Sequence, residues 1–333
     1  MASKKRRKKK KLKLKGGTKL LLLVVFIFLL YHFGFFSFLK KEGIIKINLY
    51  EKYSNVVKDR RYKKCIADGI TDENFNQDTI DKKNELTSYL NKNNILYYYH
   101  DKDYNYDIKR NETESIYGAS LVKLSTALYL IDNDVDLSQT VTYLAKYKTA
   151  YSKGMEKHSI GDKVTLEELM KYSITYSDNT AHHMILSFIG KDKLKEYSKS
   201  LGAKVLLDGW DDFGNQTAED MNIYLNRAYE LFTERENGKL LKEYMNNTDT
   251  NALNFNDSVS FLHKYGSHMQ YFHDVGIYLG EHPYNVSILT TKTESAGPSY
   301  VRKVSELTFN FHNAYYENLE SYCNNIAYDE ANE

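Results

Sequence analysis

Proline is nearly absent from this sequence, with 2 residues in 333; glycine is sparse at 17, and cysteine occurs only as Cys65 and Cys323. Without Pro-rich or Gly-rich stretches there is no sign of an interdomain linker within residues 73–333. Without an internal repeat, solenoids and arrays are excluded. Two cysteines cannot make a disulfide scaffold, and neither has the histidine neighbours that a zinc site or a thiol nucleophile requires. No metal or cofactor is expected.

Net positive charge is also missing over most of the chain. The overall balance is +2, but residues 1–41 hold 13 of the 46 Lys and Arg, leaving 33 against 44 Asp and Glu in residues 42–333, a balance of −11. An acidic body of this kind does not bind nucleic acid or a polyanionic surface by charge. The basic residues are concentrated at the start. Residues 4–15 carry ten Lys or Arg, Lys19 follows, and Leu20 to Leu39 then run for 20 residues with His32 as the one strongly polar member.

Such a run is as long as a helix needs to cross a bilayer core, which takes about 20 residues. A basic flank on the N-terminal side alone keeps that end in the cytoplasm. The expected organisation is a basic cytoplasmic tail over 1–19, a single transmembrane anchor over 20–39, an extracytoplasmic stalk over 40–72 and one domain over 73–333. A cleaved signal peptide is disfavoured by the length of the run and by Lys40-Lys41-Glu42-Gly43, which offers no small-residue cleavage site. The basic block reads as a contact for anionic membrane lipid rather than for nucleic acid, because no stacking aromatics are interleaved with it. Both cysteines then lie outside the membrane, where a disulfide is permitted and adjacent chain ends would allow it. Two free thiols are nonetheless the expectation.

Within the domain, Asp78 to Lys92 reads as a helix, and Ile95–His100 and Tyr104–Ile108 as two strands around a short turn. An apolar helix follows from about Ala119 to Ile131. Thr165-Leu-Glu-Glu168 has the capping-box pattern and opens a helix to about Thr175. A polar turn, Tyr176 to Thr180, leads into an apolar helix, Ala181 to Phe188. Further helices are read over Asp192 to Leu201, closed by Gly202, and over Ala218 to Thr233, capped by Thr217. Period two then takes over in Ser258–His263, His273–Leu279 and Tyr284–Thr291, before a closing helix from Val301 to Tyr322. Two strands, many helices, three strands and a helix predict an α+β domain: one antiparallel sheet drawn from both ends of the chain, with helices on its faces and a helical subdomain between.

The apolar helix carries Ser120 and Lys123 at spacing i, i+3, on one face of its first turn. A serine hydroxyl becomes a useful nucleophile when a neighbour takes its proton, and a desolvated lysine with a lowered pKa can do so. The spacing alone is weak, since Ser37-Phe-Leu-Lys40 repeats it at the membrane edge. Fifty-seven residues after Ser120 comes Ser177-Asp178-Asn179, at the start of another apolar helix. Taken singly, Ser177 and Asn179 could be helix caps. Lys123 on an apolar helix instead needs a partner or a function.

S-x-x-K followed by S-D-N at this distance resembles class A β-lactamases and penicillin-binding proteins, whose third motif is K-[ST]-G. Lys264-Tyr-Gly266 and Lys292-Thr-Glu294 compete for that place. In the family, the lysine lies on the first of three closing strands; two strands follow Lys264 and none follows Lys292, so Lys264 is chosen. The resemblance implies a three-layer α/β/α sandwich of the β-lactamase and transpeptidase type. It also implies roles: Ser120 attacks a carbonyl with Lys123 as base, Ser177 relays a proton to the leaving nitrogen, and Lys264 attracts a substrate carboxylate. Asn179 orients a substrate amide and Lys123, while the N–H groups of Ser120 and Ser267 form the oxyanion hole beside Gly266. Tyr265 stands where the family has a Thr or Ser hydroxyl for the substrate carboxylate.

One part of the family pattern is missing. Class A enzymes hold a deacylating glutamate in a long loop between S-D-N and the lysine strand. Here residues 206–217 are short and contain Asp208, Asp211 and Asp212 but no glutamate. The expected function is a membrane-anchored extracytoplasmic serine hydrolase, acylated on Ser120 by β-lactams or by D-alanyl peptides of peptidoglycan and slow to deacylate. The alternative is a catalytically inactive cell-surface binding protein on the same fold.

Overall fold

The computed structural model describes residues 49–205 and 212–329. The apolar run Leu20–Leu39, together with Asp208 and Asp211, lies outside the described residues; among the described residues no helix is long and apolar enough to cross a membrane. The chain divides into two units, and the larger, Cys65–Asn324, contains the whole sheet. The smaller takes in the described parts of Met1–Lys64 and Asn325–Glu333, all of them helical.

Helix α1, Leu49–Asp68, occupies much of the segment read as a stalk. It has no sustained apolar stripe, but it contains no proline or glycine, so nothing in its residues opposes helix formation. Helix α2, Gln77–Asn93, is capped by Asn76, whose side chain accepts the Thr79 N–H at 2.9 Å, and it buries Leu86 and Leu90. Strands β1, Leu96–Asp101, and β2, Asp107–Arg110, form the first hairpin. The second strand begins later than the expected Tyr104. The Asp101 carboxylate accepts the N–H groups of Asp103 and Tyr104 at 3.1 and 2.8 Å and holds those residues in the turn.

Next come β3, Ile116–Tyr117, and α3, Val122–Asp132, then the small pair β4, Thr140–Thr142, and β5, Lys163–Thr165. Helix α4, Leu166–Thr175, has the expected capping box at Thr165 and Glu168. Helices α5, Asn179–Ile189, and α6, Lys191–Ser200, precede β6, Asn215–Gln216, which pairs with β3. Helix α7, Ala218–Glu234, is followed by α8, Glu236–Asn246, which is absent from the sequence reading. Its Gly238 packs closely: a Cβ there would lie 1.8 Å from the Leu231 carbonyl oxygen. Strands β7, Phe261–His268, β8, Tyr271–Tyr278, and β9, Tyr284–Thr290, lead to α9, Gly297–Asp329.

The five-stranded sheet has the order β2-β1-β9-β8-β7, antiparallel throughout, so the two ends of the domain do meet in one sheet. Alternation on β1 assigns its faces. Tyr97 and Tyr99 reach α9, with hydroxyls 2.8 Å from Thr308 Oγ1 and His312 Nδ1. Leu96 and Tyr98 join the core built from α3, α4, α5 and α7 on the other face. The first closing strand runs to His268 rather than ending at His263. Lys264, Gly266 and His268 interrupt the apolar pattern without interrupting the ladder, which pairs every residue from Phe261 to His268 with β8.

The expectation of two free thiols is overturned: Cys65 and Cys323 form a disulfide, with Cα atoms 5.4 Å apart. The chain after α1 is held along α9 by the Asn318 amide donating to the Asn74 carbonyl at 3.1 Å, which brings the two cysteines together. A bond closing a loop this long restricts the unfolded chain strongly, and its loss typically costs about 2–5 kcal/mol. Reduction should therefore lower the denaturation midpoint of the full-length protein. Cys323→Ser should start at the lower midpoint and show no further response to reductant.

Candidate active site

The tight turn before α3 sets the first residue of the site. The Gly118 N–H donates to the Gly214 carbonyl at 3.0 Å, and the Leu121 N–H closes a turn onto the Gly118 carbonyl at 3.1 Å. Ala119 is held at φ 47°, a left-handed conformation that costs an alanine about 1–2 kcal/mol. Ser120 thus sits in a single turn of 3₁₀ helix, Ala119–Leu121, and is 9% exposed. One turn on, Lys123 is fully buried at 0% exposure.

Four oxygens surround the Lys123 amine. Nζ lies 2.8 Å from Ser120 Oγ, 2.6 Å from the Ser177 carbonyl, 2.6 Å from Asn179 Oδ1 and 3.3 Å from Ser177 Oγ. Burial, followed by the positive charge of Lys264, holds its pKa well below the usual lysine range, with Asp178 opposing the shift. A neutral amine matches this geometry. Its two hydrogens can go to the Ser177 carbonyl and Asn179 Oδ1, leaving the lone pair to accept the Ser120 O–H.

The second wall is the junction of α4 and α5. Ser177 adopts φ 52°, another left-handed non-glycine residue, which turns its carbonyl and hydroxyl toward Lys123. Asp178, fully buried, caps α5 by accepting the Ala181 N–H at 2.8 Å and also takes the Met155 N–H at 2.9 Å. Asn179 is braced by residues 150 and 151: its N–H donates to the Tyr151 carbonyl at 3.0 Å and its side chain to the Ala150 carbonyl at 3.2 Å.

Strand β7 is the third wall. Lys264 is fully buried and donates to Ser177 Oγ at 2.9 Å and to the Tyr265 carbonyl at 2.8 Å. Burial pushes its pKa down to about 7, while Asp274 and Asp249 pull the other way. Ser177 therefore bridges two lysines. Gly266 permits the strand to lie against the nucleophile turn, since a Cβ there would meet the Gly118 carbonyl oxygen at 2.6 Å and the Leu121 N–H nitrogen at 3.3 Å. Ser267 follows on the same strand. Lys292 is elsewhere, past the end of β9, with Nζ 4.7 Å from the ring centre of Tyr300.

Three further residues shape the site without any sequence signal that identified them. The Phe213 ring lies 5.3 Å from Lys123 Nζ and packs on His182 at 5.2 Å between centroids. Burial holds the His182 pKa well below the usual imidazole range, and its Nε2 lies 3.2 Å from the Asp212 carbonyl, which can accept an Nε2–H. Asp249 stands beside Tyr265, whose hydroxyl donates to its Oδ1 at 3.3 Å. Of the loop carboxylates, Asp212 is paired with Lys191 and lies 3.7 Å from His183 Nε2.

An antiparallel sheet backed by helices, with a serine against a buried lysine and a second serine between two lysines, is the fold of a β-lactamase-like serine hydrolase. The sequence agrees: the model of the β-lactamase enzyme family matches residues 81–311, and the chain belongs to that family. Solved structures share the fold at low identity. A mutant of PBP-A in its acyl-enzyme complex with penicillin G is 16% identical, with a TM-score of 0.63 over 69% of this chain and 95% of the other. TLA-3 extended-spectrum β-lactamase is 16% identical, with a TM-score of 0.62 over 70% and 99%. A class A β-lactamase representative from Bacteroides cellulosilyticus is 19% identical, with a TM-score of 0.61 over 72% and 99%. No curated protein sequence matches the chain significantly.

Proposed function

We propose that this protein is a serine hydrolase that forms an acyl-enzyme on Ser120, with β-lactams or D-alanyl peptides as acyl donors. The observation that carries the reading is the 2.8 Å contact between Ser120 Oγ and the buried Lys123 amine, whose pKa burial holds well below the usual lysine range. In the proposed reaction Lys123 takes the Ser120 proton as Oγ bonds to the carbonyl carbon. Ser177, linked to both lysines, passes a proton to the leaving nitrogen. The N–H groups of Ser120 and Ser267 receive the oxyanion. Asn179 orients Lys123 and a substrate amide, and Lys264 supplies positive charge on the leaving-group side. A binding protein without turnover has no physical need to keep two buried lysines on one serine, each costly to desolvate.

The anchoring of this domain belongs to the same proposal. The apolar run Leu20–Leu39 behind a block of ten basic residues supports a single-pass anchor with the basic tail on anionic lipid and the catalytic domain outside the cell membrane. On that side the domain would meet peptidoglycan peptides as acyl donors.

Gly266→Ala offers an internal check, because its methyl group would push β7 away from the Ser120 turn. Displacing a reacting group by about 1 Å can cost on the order of a hundredfold in rate, and acylation by penicillin should fall by that much. Deacylation is proposed to limit turnover. Asp212 pairs with Lys191, and the segment 206–217 has no glutamate to activate water, a contribution commonly worth about a hundredfold to ten-thousandfold. Incubating the full-length protein with a chromogenic cephalosporin should give a burst of product equal to the enzyme, then a slow phase. Linear turnover from the start, with no adduct in the mass spectrum, would show that a water activator is present.

A further inference from the structure

Beside Lys264 and Tyr265 lies a carboxylate, Asp249. Asp249 lies in the segment between α8 and β7, and its N–H is tied to the Thr175 carbonyl at 3.0 Å. Its Oδ1 accepts the Tyr265 hydroxyl at 3.3 Å, and Tyr265 itself folds over the second lysine, with Lys264 Nζ 4.2 Å from the ring centre. The Tyr265 phenol is pushed up to about 12, chiefly by burial, and its hydroxyl neighbours Thr250, Asp249 and Ser177. The phenol is thus directed to a protein carboxylate at the place where the family offers a hydroxyl to a substrate carboxylate. Asp249 also lies close enough to Lys264 to raise its pKa, so it offsets the one buried cation on this side. Its other oxygen faces Lys153 at 3.4 Å, a pair at the solvent edge whose side chains are 29% and 63% exposed. A pair of that kind is weak and readily displaced.

We propose that Asp249 is a specificity residue that selects acyl donors with a cationic leaving group and disfavours those with a carboxylate beside the scissile bond. This rests on the acyl-enzyme reading of Ser120 and narrows it. A substrate ammonium would replace Lys153 on the free side of Asp249, and a substrate carboxylate would meet a fixed negative charge at the position where it would otherwise reach Lys264. Penicillin and D-alanyl peptides, which both carry such a carboxylate, remain donors in this account but slow ones, the former driven by its strained ring.

Two thioesters of phenylacetic acid, one releasing thiocholine and one thioglycolate, differ in the charge of the leaving group. Ser120 Oγ bonds to the acyl carbon and the C–S bond breaks. The thiol leaves carrying the electron pair and the serine proton, relayed through Lys123 and Ser177, and water then hydrolyses the ester to phenylacetate and free Ser120. Thiol release would be followed with full-length wild type, Asp249→Asn, Asp249→Lys and Ser120→Ala. Comparing the thiocholine-to-thioglycolate ratio of kcat/KM between proteins cancels the intrinsic reactivity of the two esters. The ratio should fall about tenfold from wild type to Asp249→Asn, as loss of one close charge predicts, and further in Asp249→Lys. Asn retains an acceptor for the Tyr265 hydroxyl, and Asp249→Ser provides a second neutral variant if it fails to fold. Ser120-dependent release with a ratio indifferent to residue 249, or a ratio that rises on neutralising it, overturns the assignment of Asp249 alone. Release that persists in Ser120→Ala, or no release from either ester, overturns the acyl-enzyme reading as well.

Discussion

Ser120→Ala is expected to abolish covalent labelling by penicillin, lowering the acylation rate by about a thousandfold or more, while the denaturation midpoint stays within a few degrees of wild type. The size of the effect follows from chemistry: without Oγ no atom at this position can bond to the carbonyl carbon, and loss of a nucleophile is among the largest single-residue losses known in hydrolases. The fold should be indifferent, because the substitution removes one oxygen and leaves the methyl group of the turn in place. Lys123 would lose one of its four oxygen neighbours and keep the Ser177 carbonyl and Asn179. Ser37→Ala, which removes the serine of the other S-x-x-K, should change nothing. Labelling by fluorescent penicillin in a gel, alongside a thermal melt, reads both quantities.

The second large effect is expected at Lys264. Lys264→Ala should slow acylation by about a hundredfold or more, since removing a preorganised charge or donor from a water-poor site commonly costs that much. Lys292→Ala should be almost silent, because that side chain lies over Tyr300 at the far end of β9. Equal losses in the two variants would mean that the wrong lysine has been placed in the site. The pH profile sharpens the comparison. With a pKa lowered to about 7, Lys264 is a cation below that pH and a neutral amine above it. Whatever part of the wild-type advantage comes from its charge should be largest on the acid side of about 7 and fade as the pH rises. Lys264→Ala should lack that limb. Lys123 acts in the opposite sense, since protonation at low pH removes the base.

The order of most elements was readable from spacing because local chemistry fixes it, and the five residues proposed for the site come from the motifs and the family resemblance that those motifs carry. Ser120 and Lys123 share a helical turn, Ser177 and Asn179 open an apolar helix, and Lys264 lies on a strand with two partners still to come. The structure places these five side chains within one hydrogen-bonded cluster. What the sequence did not show depends on contacts between distant segments. Asp249 belongs to no motif, and only the direction of the Tyr265 hydroxyl reveals it. Phe213 reads as a loop aromatic until its ring is found beside Lys123. Compartment and adjacent chain ends permit the disulfide without requiring it; the packing of the chain after α1 along α9 brings the two cysteines together. Helix α8 was not read at all, and Gly238 within it marks a close approach to Leu231.

The acylation of Ser120 can be tested most directly by intact-mass measurement of the full-length protein after exposure to excess benzylpenicillin, followed by peptide mapping. The account predicts a gain of one whole penicillin per chain, because ring opening releases no fragment. It also predicts that the added mass lies on the peptide containing Ser120 and outlasts removal of the free drug. A folded wild-type protein that gains no mass, or an adduct that maps to any other residue, would contradict it.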